Sequence, residues 1–173
     1  MEMKSIKKNY FYNLLYQILA LLAPLITTPY VSRTLGAEAI GEYSYSYSIV
    51  YYFMLAAILG TATYAEREVS FCQDNRKKRS KRFWDLFFLR NITSFTSIAL
   101  YVVIVGFCFK NKLMAMIVAL NIISVGLDTV WLFQGMEEFG RITFRDTCIK
   151  ILTIVSIFFF IKRPIDIYLY ALI

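Results

Sequence analysis

The sequence contains no histidine and only three cysteines, Cys72, Cys108 and Cys148. Ordinary zinc and haem sites depend on imidazole or clustered thiolates, so we expect no metal and no cofactor. Three widely spaced cysteines also exclude a disulfide framework. There is no glycine-rich phosphate loop with its lysine, and there is no Ser or Cys beside a histidine, so the chain is not expected to be an enzyme.

Charge is also scarce. Charged residues make up 18% of the chain and hydrophobic residues 58%, which is too apolar for a water-facing globular surface. The charges are clustered, and residues 9–32, 43–65 and 91–109 contain none. A further run, Leu113–Gln134, is interrupted only by Asp128. About 20 apolar residues cross a bilayer core, so each run is long enough to be a membrane-spanning helix.

The pattern therefore predicts an all-α, polytopic helical membrane protein forming a single transmembrane region over residues 1–173. It predicts about five complete transmembrane helices and the start of a sixth. A half-helix left in lipid would have unsatisfied backbone groups, so the last segment is expected to continue in a longer protein. The predicted spans are residues 10–32, 43–64, 83–109, 113–134, 142–161 and, incomplete, 165–173.

Basic residues indicate the orientation. Thirteen of the 19 Lys and Arg residues fall in segments on one side, namely the N-terminus, residues 67–82 and residues 141–150. Lys and Arg are concentrated in cytoplasmic loops, so the N-terminus is predicted to be cytoplasmic. The run of residues 76–82 lies between two spans, which favours an orientation signal and a contact for anionic lipid headgroups over nucleic-acid binding.

Two of the charged residues within the predicted spans stand out. Arg90 and Asp128 are each about two turns from the inner end of their helices, so they are at similar depth and can pair across two antiparallel helices. Intramembrane charges are costly and are functional candidates by default. Two interpretations stay open: a polar cavity in which an ion or a substrate phosphate replaces one partner, or a structural ion pair.

The first span carries Pro24 and Pro29, each of which removes a backbone hydrogen bond. In transporters, interrupted helices expose carbonyl groups to a central cavity and act as hinges. We therefore predict a hinge at these prolines. The alternative is that they only reflect the frequency of proline in membrane helices.

Several motifs occur in order along the whole chain. They are residues 24–36 (PLITTPYVSRTLG), 40–44 (IGEYS), 52–53, 59–60, 64–67 (YAER), 83–84, 128–137 (DTVWLFQGME), Arg145, Lys150 and 166–168. Taken together they resemble the motifs of the Wzx-type flippases for lipid-linked oligosaccharides, which belong to a superfamily that also contains multidrug exporters. Two residues depart from the family's pattern: Ala65 stands where glycine is usual, and Asp146 stands where asparagine is common.

The resemblance implies a transporter with two pseudo-symmetric lobes around a central cavity, of which this chain supplies part of the first. The implied substrate is an undecaprenyl-pyrophosphate-linked repeat unit, flipped across the inner membrane for O-antigen or capsule. Implied partners are this lipid-linked oligosaccharide, membrane lipids and other polysaccharide assembly proteins. No nucleic acid is expected.

A pyrophosphate that crosses a membrane needs cationic partners, and arginine suits phosphate geometry. With the resemblance, this predicts substrate contacts by Arg33 at the outer mouth, Arg90 midway, and Arg145 and Lys150 at the inner mouth. Asp128 is predicted to couple the cycle to an ion or to hold Arg90. The alternatives are a drug or metabolite exporter of the same superfamily and a membrane enzyme of the same polysaccharide pathway.

Overall fold

The uncharged runs fold as helices. The computed structural model describes residues 3–109 and 111–173, and within these ranges the secondary structure is entirely helical. Lys110, one of the Lys and Arg residues outside the three basic segments, lies outside the described residues. The helices are α1 (Met3–Leu35), α2 (Ala37–Ile58), α3 (Thr61–Phe71), α4 (Arg76–Cys108), α5 (Lys112–Leu127), α6 (Val130–Gly135), α7 (Phe139–Phe160) and α8 (Ile167–Leu172), with a 3-10 turn at Pro164–Asp166.

Three helical stretches among the described residues are long and apolar enough to cross a membrane. They are Ala37–Phe71, Arg76–Val105 and Lys112–Gly135. They carry many large hydrophobic side chains on their outer surfaces, such as Tyr52, Phe95 and Val103. Such surfaces are compatible with lipid and not with water, so the helices form a multi-pass membrane structure.

Two of the predicted spans are interrupted where the sequence suggested continuous helices. In the span predicted over residues 43–64, Leu59 and Gly60 have φ values of 46° and 68°. These left-handed conformations end α2 at Ile58, and α3 begins at Thr61. The Thr61 hydroxyl donates a hydrogen bond to the Ile58 carbonyl at 2.6 Å. The junction is therefore an ordered break stabilised by its own hydrogen bond.

The second interruption falls within the predicted span 113–134. Helix α5 ends at Leu127, and α6 begins at Val130. Asp128 has an extended backbone, with φ −66° and ψ 124°, and one of its carboxylate oxygens accepts a hydrogen bond from the Val130 backbone N–H at 3.1 Å. Asp side chains compete with helix continuation through such local bonds. Asp128 therefore lies at a helix junction and not inside a continuous helix.

The chain divides into two compact units, Met1–Gly41 with Glu138–Ile173, and Glu42–Glu137. In the first unit, α1 packs against α7 through their C-terminal ends, where the rings of Tyr30 and Phe158 are 4.6 Å apart. In the second, α4 forms an antiparallel pair with α5, and α3 packs against both α4 and α6.

A hydrogen bond from Tyr30 satisfies a carbonyl at the end of α7. The Tyr30 hydroxyl donates to the Ile161 carbonyl oxygen at 2.6 Å, and Ile161 is fully buried. The last carbonyls of a helix have no partner within the helix.

Replacing Tyr30 with Phe removes this hydrogen bond and should therefore destabilise the protein by about 1 kcal/mol. The measurement is the thermal denaturation midpoint of the full-length protein in detergent. The same substitution at exposed Tyr52 is the control and should leave the midpoint unchanged.

Candidate functional site

The two intramembrane charges lie together in the second unit. Arg90, on α4, places Nη2 3.7 Å from a carboxylate oxygen of Asp128. Its Nη1 donates a hydrogen bond to the Asp128 backbone carbonyl at 3.3 Å. Because Asp128 follows the last residue of α5, the guanidinium also lies at the negative end of that helix dipole. Arg90 thus interacts with a carboxylate, a backbone carbonyl and a helix C-terminus at once.

Burial differs greatly between the two partners. The Arg90 side chain is 5% exposed, whereas that of Asp128 is 40% exposed. Among the described residues, the Nε of Arg90 is a buried donor without a hydrogen-bond acceptor. A buried cation depends on its counter-ion far more than an accessible carboxylate does. The pair is therefore asymmetric: Asp128 can meet solvent, a headgroup or an ion, and Arg90 cannot.

Trp131 completes the junction between α5 and α6. Its indole N–H donates to the Asp128 carbonyl at 3.0 Å, so this carbonyl accepts hydrogen bonds from both Trp131 and Arg90. Trp131 is almost fully buried and packs against Ala65, Val69 and Leu86. The sequence analysis did not predict this contact.

A series of side chains on α4 donates to carbonyls of α5 in antiparallel register. We call it the polar ladder. Its contacts run from Arg90 to Asp128, from Asn91 to Gly126 at 3.4 Å, from Ser94 to Ile122 at 2.7 Å and from Tyr101 to Ala115 at 3.0 Å. Helices in lipid gain little from hydrophobic association and depend on close packing and such bonds. Arg90 is therefore the terminal rung of a helix–helix contact.

Small residues let these helices approach each other. A Cβ on Gly126 would lie 2.8 Å from the side chain of Ser94. Gly135, at the end of α6, is closer still to α3, because a Cβ there would lie 2.6 Å from the Glu66 carbonyl oxygen and 2.7 Å from the Val69 Cβ. Sequence reasoning assigned these glycines no role. Their spacing from Asp128 gave no signal without knowledge of which helices pair.

The remaining predicted substrate contacts belong to the first unit. Arg33 is exposed in the last turn of α1, three residues after Tyr30. Tyr30 packs on Phe158, and Arg145 precedes Phe158 by 13 residues on α7. At 1.5 Å per residue, Arg145 is therefore about 20 Å from that level along the helix axis. The structure places Arg33 and Arg145 toward opposite ends of the α1–α7 pair; their roles at an outer and an inner mouth stay predictions.

Arg145 already has an anionic partner. Its Nη2 is 2.6 Å and its Nε 2.9 Å from one carboxylate oxygen of the neighbouring Asp146, and the two side chains are 47% and 23% exposed. Lys150 is partly buried one turn further along α7. Asp146 is one of the two residues that depart from the pattern of the family it resembles, and its carboxylate compensates the charge of Arg145.

The predicted hinge residues lie in a helix that continues past them. Helix α1 runs without interruption through Pro24 and Pro29 to Leu35. The Thr27 hydroxyl donates to the Ala23 carbonyl at 2.9 Å, and the Thr34 hydroxyl donates to the Tyr30 carbonyl at 2.8 Å. Such bonds from a Ser or Thr side chain to the carbonyl one turn earlier are common in helices and tend to bend them. A hinge motion at the prolines stays a prediction.

The helices and their buried charged pair define a multi-pass helical membrane protein. Residues 6–173 match the sequence profile of the family described as "Polysaccharide biosynthesis protein". The chain belongs to this family. It is 26% identical over 173 residues to a protein of Escherichia coli (strain K12) named "Putative O-antigen transporter", and the match covers 94% of this chain.

The chain spans 40% of the length of that relative. No solved structure matches it. The family and the relative confirm the resemblance drawn from the motifs, and a relative that is named as a transporter agrees with the expectation that the chain is not an enzyme.

Proposed function

We propose that this chain is part of a flippase that moves undecaprenyl-pyrophosphate-linked oligosaccharide repeat units across the inner membrane for O-antigen or capsule synthesis. The observation that carries the proposal is the family match along residues 6–173, together with the name of the Escherichia coli relative. The all-helical structure with three membrane-length stretches supports it. The proposal also includes the predicted count of membrane-spanning helices, which is five complete helices and the start of a sixth in one lobe.

The proposed substrate contacts are Arg33 and Arg145, which are exposed, and Lys150, which is partly exposed. Arg33 and Lys150 make no described ion pair, and Arg145 is accessible beside Asp146. A diphosphate that enters at one mouth and leaves at the other would meet Lys150 and Arg145 first and Arg33 last. Arg90 is buried against Asp128 and α5, and this geometry supports a role in holding the lobe together over direct phosphate contact. Asp128, with its accessible carboxylate, is the proposed coupling residue.

Cells that lack the full-length gene test the proposal. If the protein is the flippase, completed lipid-linked repeat units should accumulate in the inner leaflet, and surface glycan should be lost. Lectin labelling of inside-out and right-side-out vesicles, with mass spectrometry of the extracted lipids, locates the repeat unit. Incomplete glycan would indicate an enzyme of the pathway. Normal glycan with increased drug sensitivity would indicate an exporter, and either result rejects the proposal.

Replacing Asp146 with Asn tests Arg145 as a phosphate contact. The substitution removes the carboxylate 2.6 Å from the guanidinium. Exposed ion pairs contribute about 0.2–1 kcal/mol, so an unpaired Arg145 should bind diphosphate up to about fivefold more tightly. The measurement is the concentration dependence of flipping in proteoliposomes.

The matched control for this prediction is Glu138→Gln. It releases Arg141 of α7, whose Nη1 is 2.9 Å from a carboxylate oxygen of Glu138, the residue that precedes this helix; Arg141 is not one of the proposed substrate contacts. Glu138→Gln should leave substrate affinity unchanged. Equal effects of the two substitutions, or no effect of Asp146→Asn, would contradict a specific contact by Arg145.

A further inference from the structure

The N-terminal turns of α4 carry a basic run whose members differ in what they contact. Arg82 pairs with Glu68 of α3 at 3.3 Å, and the Arg79 guanidinium donates to the Gln73 carbonyl at 2.9 Å. Lys77 and Lys81 are exposed and, within the described part of the chain, make no hydrogen bond or ion pair. Two cations of the run are thus engaged by the fold, while these two point away from it.

Lys77 and Lys81 begin a stripe along one face of α4. The next members are Trp84 and Phe88, at helical positions i+7 and i+11 from Lys77, which lie above one another on an α-helix. Trp84 is 51% exposed and Phe88 59% exposed, and their rings are 5.7 Å apart. From Lys77 to Phe88 the stripe extends about 16 Å along the helix axis.

The order of side chains along the stripe corresponds to the depth profile of one lipid leaflet. Ammonium groups come first, then an indole with its N–H donor, then a phenyl ring, and two turns further on another exposed ring, Phe95. In membranes, Lys is found at the phosphate level, Trp at the interface and Phe among the acyl chains. Inorganic phosphate would need only the two lysines and would leave the aromatic rings without a role.

We propose that this stripe is a binding site for an anionic phospholipid. The lysines at 77 and 81 contact the headgroup phosphate, the indole of Trp84 packs at the glycerol level, and the ring of Phe88 packs against the first part of an acyl chain. Charge complementarity selects an anionic over a zwitterionic lipid. The site does not depend on the transported substrate, so it stands or falls separately from the proposed flippase function.

The test is native mass spectrometry of the full-length protein, titrated with phosphatidylglycerol and separately with phosphatidylcholine. Each basic residue near an anionic surface contributes enough that losing two should weaken binding about tenfold or more. Lys77→Gln with Lys81→Gln should therefore weaken the tightest phosphatidylglycerol adduct by about tenfold and leave phosphatidylcholine adducts unchanged. Trp84→Ala should weaken phosphatidylglycerol binding without altering net charge.

The matched control removes the same charge from other faces of the same turns. Arg76→Gln with Lys78→Gln should change phosphatidylglycerol binding by less than about twofold, because Arg76 and Lys78 lie about 100° to either side of Lys77. Equal weakening by the two double variants would overturn the proposal in favour of an unspecific positive field. Complete competition by inorganic phosphate would also overturn it, because the ligand would then be a phosphate ion and not a lipid.

Discussion

Replacing Asp128 with Asn should destabilise the protein more than replacing its partner Arg90 with Met. Asn keeps the backbone carbonyl that accepts the Arg90 and Trp131 hydrogen bonds, but it leaves the guanidinium buried without its counter-ion. Breaking a buried ion pair by removing one partner costs about 3–5 kcal/mol of stability. Because Asp128 is accessible, we expect the cost of Asp128→Asn to lie at the lower end of this range. Arg90→Met instead leaves an acid that is 40% exposed and can reach water.

The double variant Arg90→Met with Asp128→Asn separates the pair from its surroundings. Because the double variant no longer contains the buried charge, its stability should be close to that of Arg90→Met alone. This corresponds to a coupling energy between the two residues of about 1–3 kcal/mol. Thermal midpoints of the purified full-length proteins give the change in stability for each single variant and for the double variant. Strictly additive effects would show that the 3.7 Å contact contributes nothing to stability.

Transport measured on the same variants separates the two roles of Asp128. A structural pair predicts that loss of flipping follows loss of folded protein, so the double variant should regain both. A coupling acid predicts that flipping is abolished in both Asn variants at normal abundance. Rates per folded molecule in proteoliposomes decide between the roles. A double variant that folds but does not transport, beside an Arg90→Met variant that does transport, identifies Asp128 as a coupling residue.

Much of the helical architecture could be predicted from charge-free runs, because placing a charge in lipid costs so much free energy that charged residues are rare within membrane-spanning helices. The same rule located Arg90 and Asp128 at similar depth, and the structure places them in contact. The register of the α4–α5 pair follows from that one contact. The family was also recognisable, because its motifs occur in order along the chain.

The breaks within the spans could not be predicted by the same rule. Hydropathy does not distinguish Leu59-Gly60 in a left-handed conformation from the same dipeptide inside a helix. At Asp128-Thr129 a local signal was present, because Asp and Thr favour helix boundaries, but the length of the apolar run outweighed it. The hydrogen bonds of the polar ladder could not be predicted for another reason. The partners of Asn91 and Ser94 can be identified only once α4 is known to pack against α5.

Replacing Gly135 with Ala should be the most damaging single-methyl change in the second unit. The added Cβ would lie 2.6 Å from the Glu66 carbonyl oxygen and 2.7 Å from the Val69 Cβ. Neither is the end of a flexible side chain, so α3 and α6 would have to separate. Overpacking of this kind typically costs about 1–3 kcal/mol, and backbone contact places Gly135→Ala at the upper end.

The contact between α3 and α6 also holds Trp131 against Ala65 and Val69, so separation of these helices would loosen the junction at Asp128. Gly140→Ala on α7 is the matched control, because nothing lies within 4 Å of its added Cβ and Ala stabilises a helix by about 1 kcal/mol relative to Gly. We therefore expect a lower thermal midpoint and lower membrane abundance for Gly135→Ala, and an unchanged or higher midpoint for Gly140→Ala. A Gly135→Ala midpoint equal to that of the unmodified protein would show that α3 and α6 are not packed this closely.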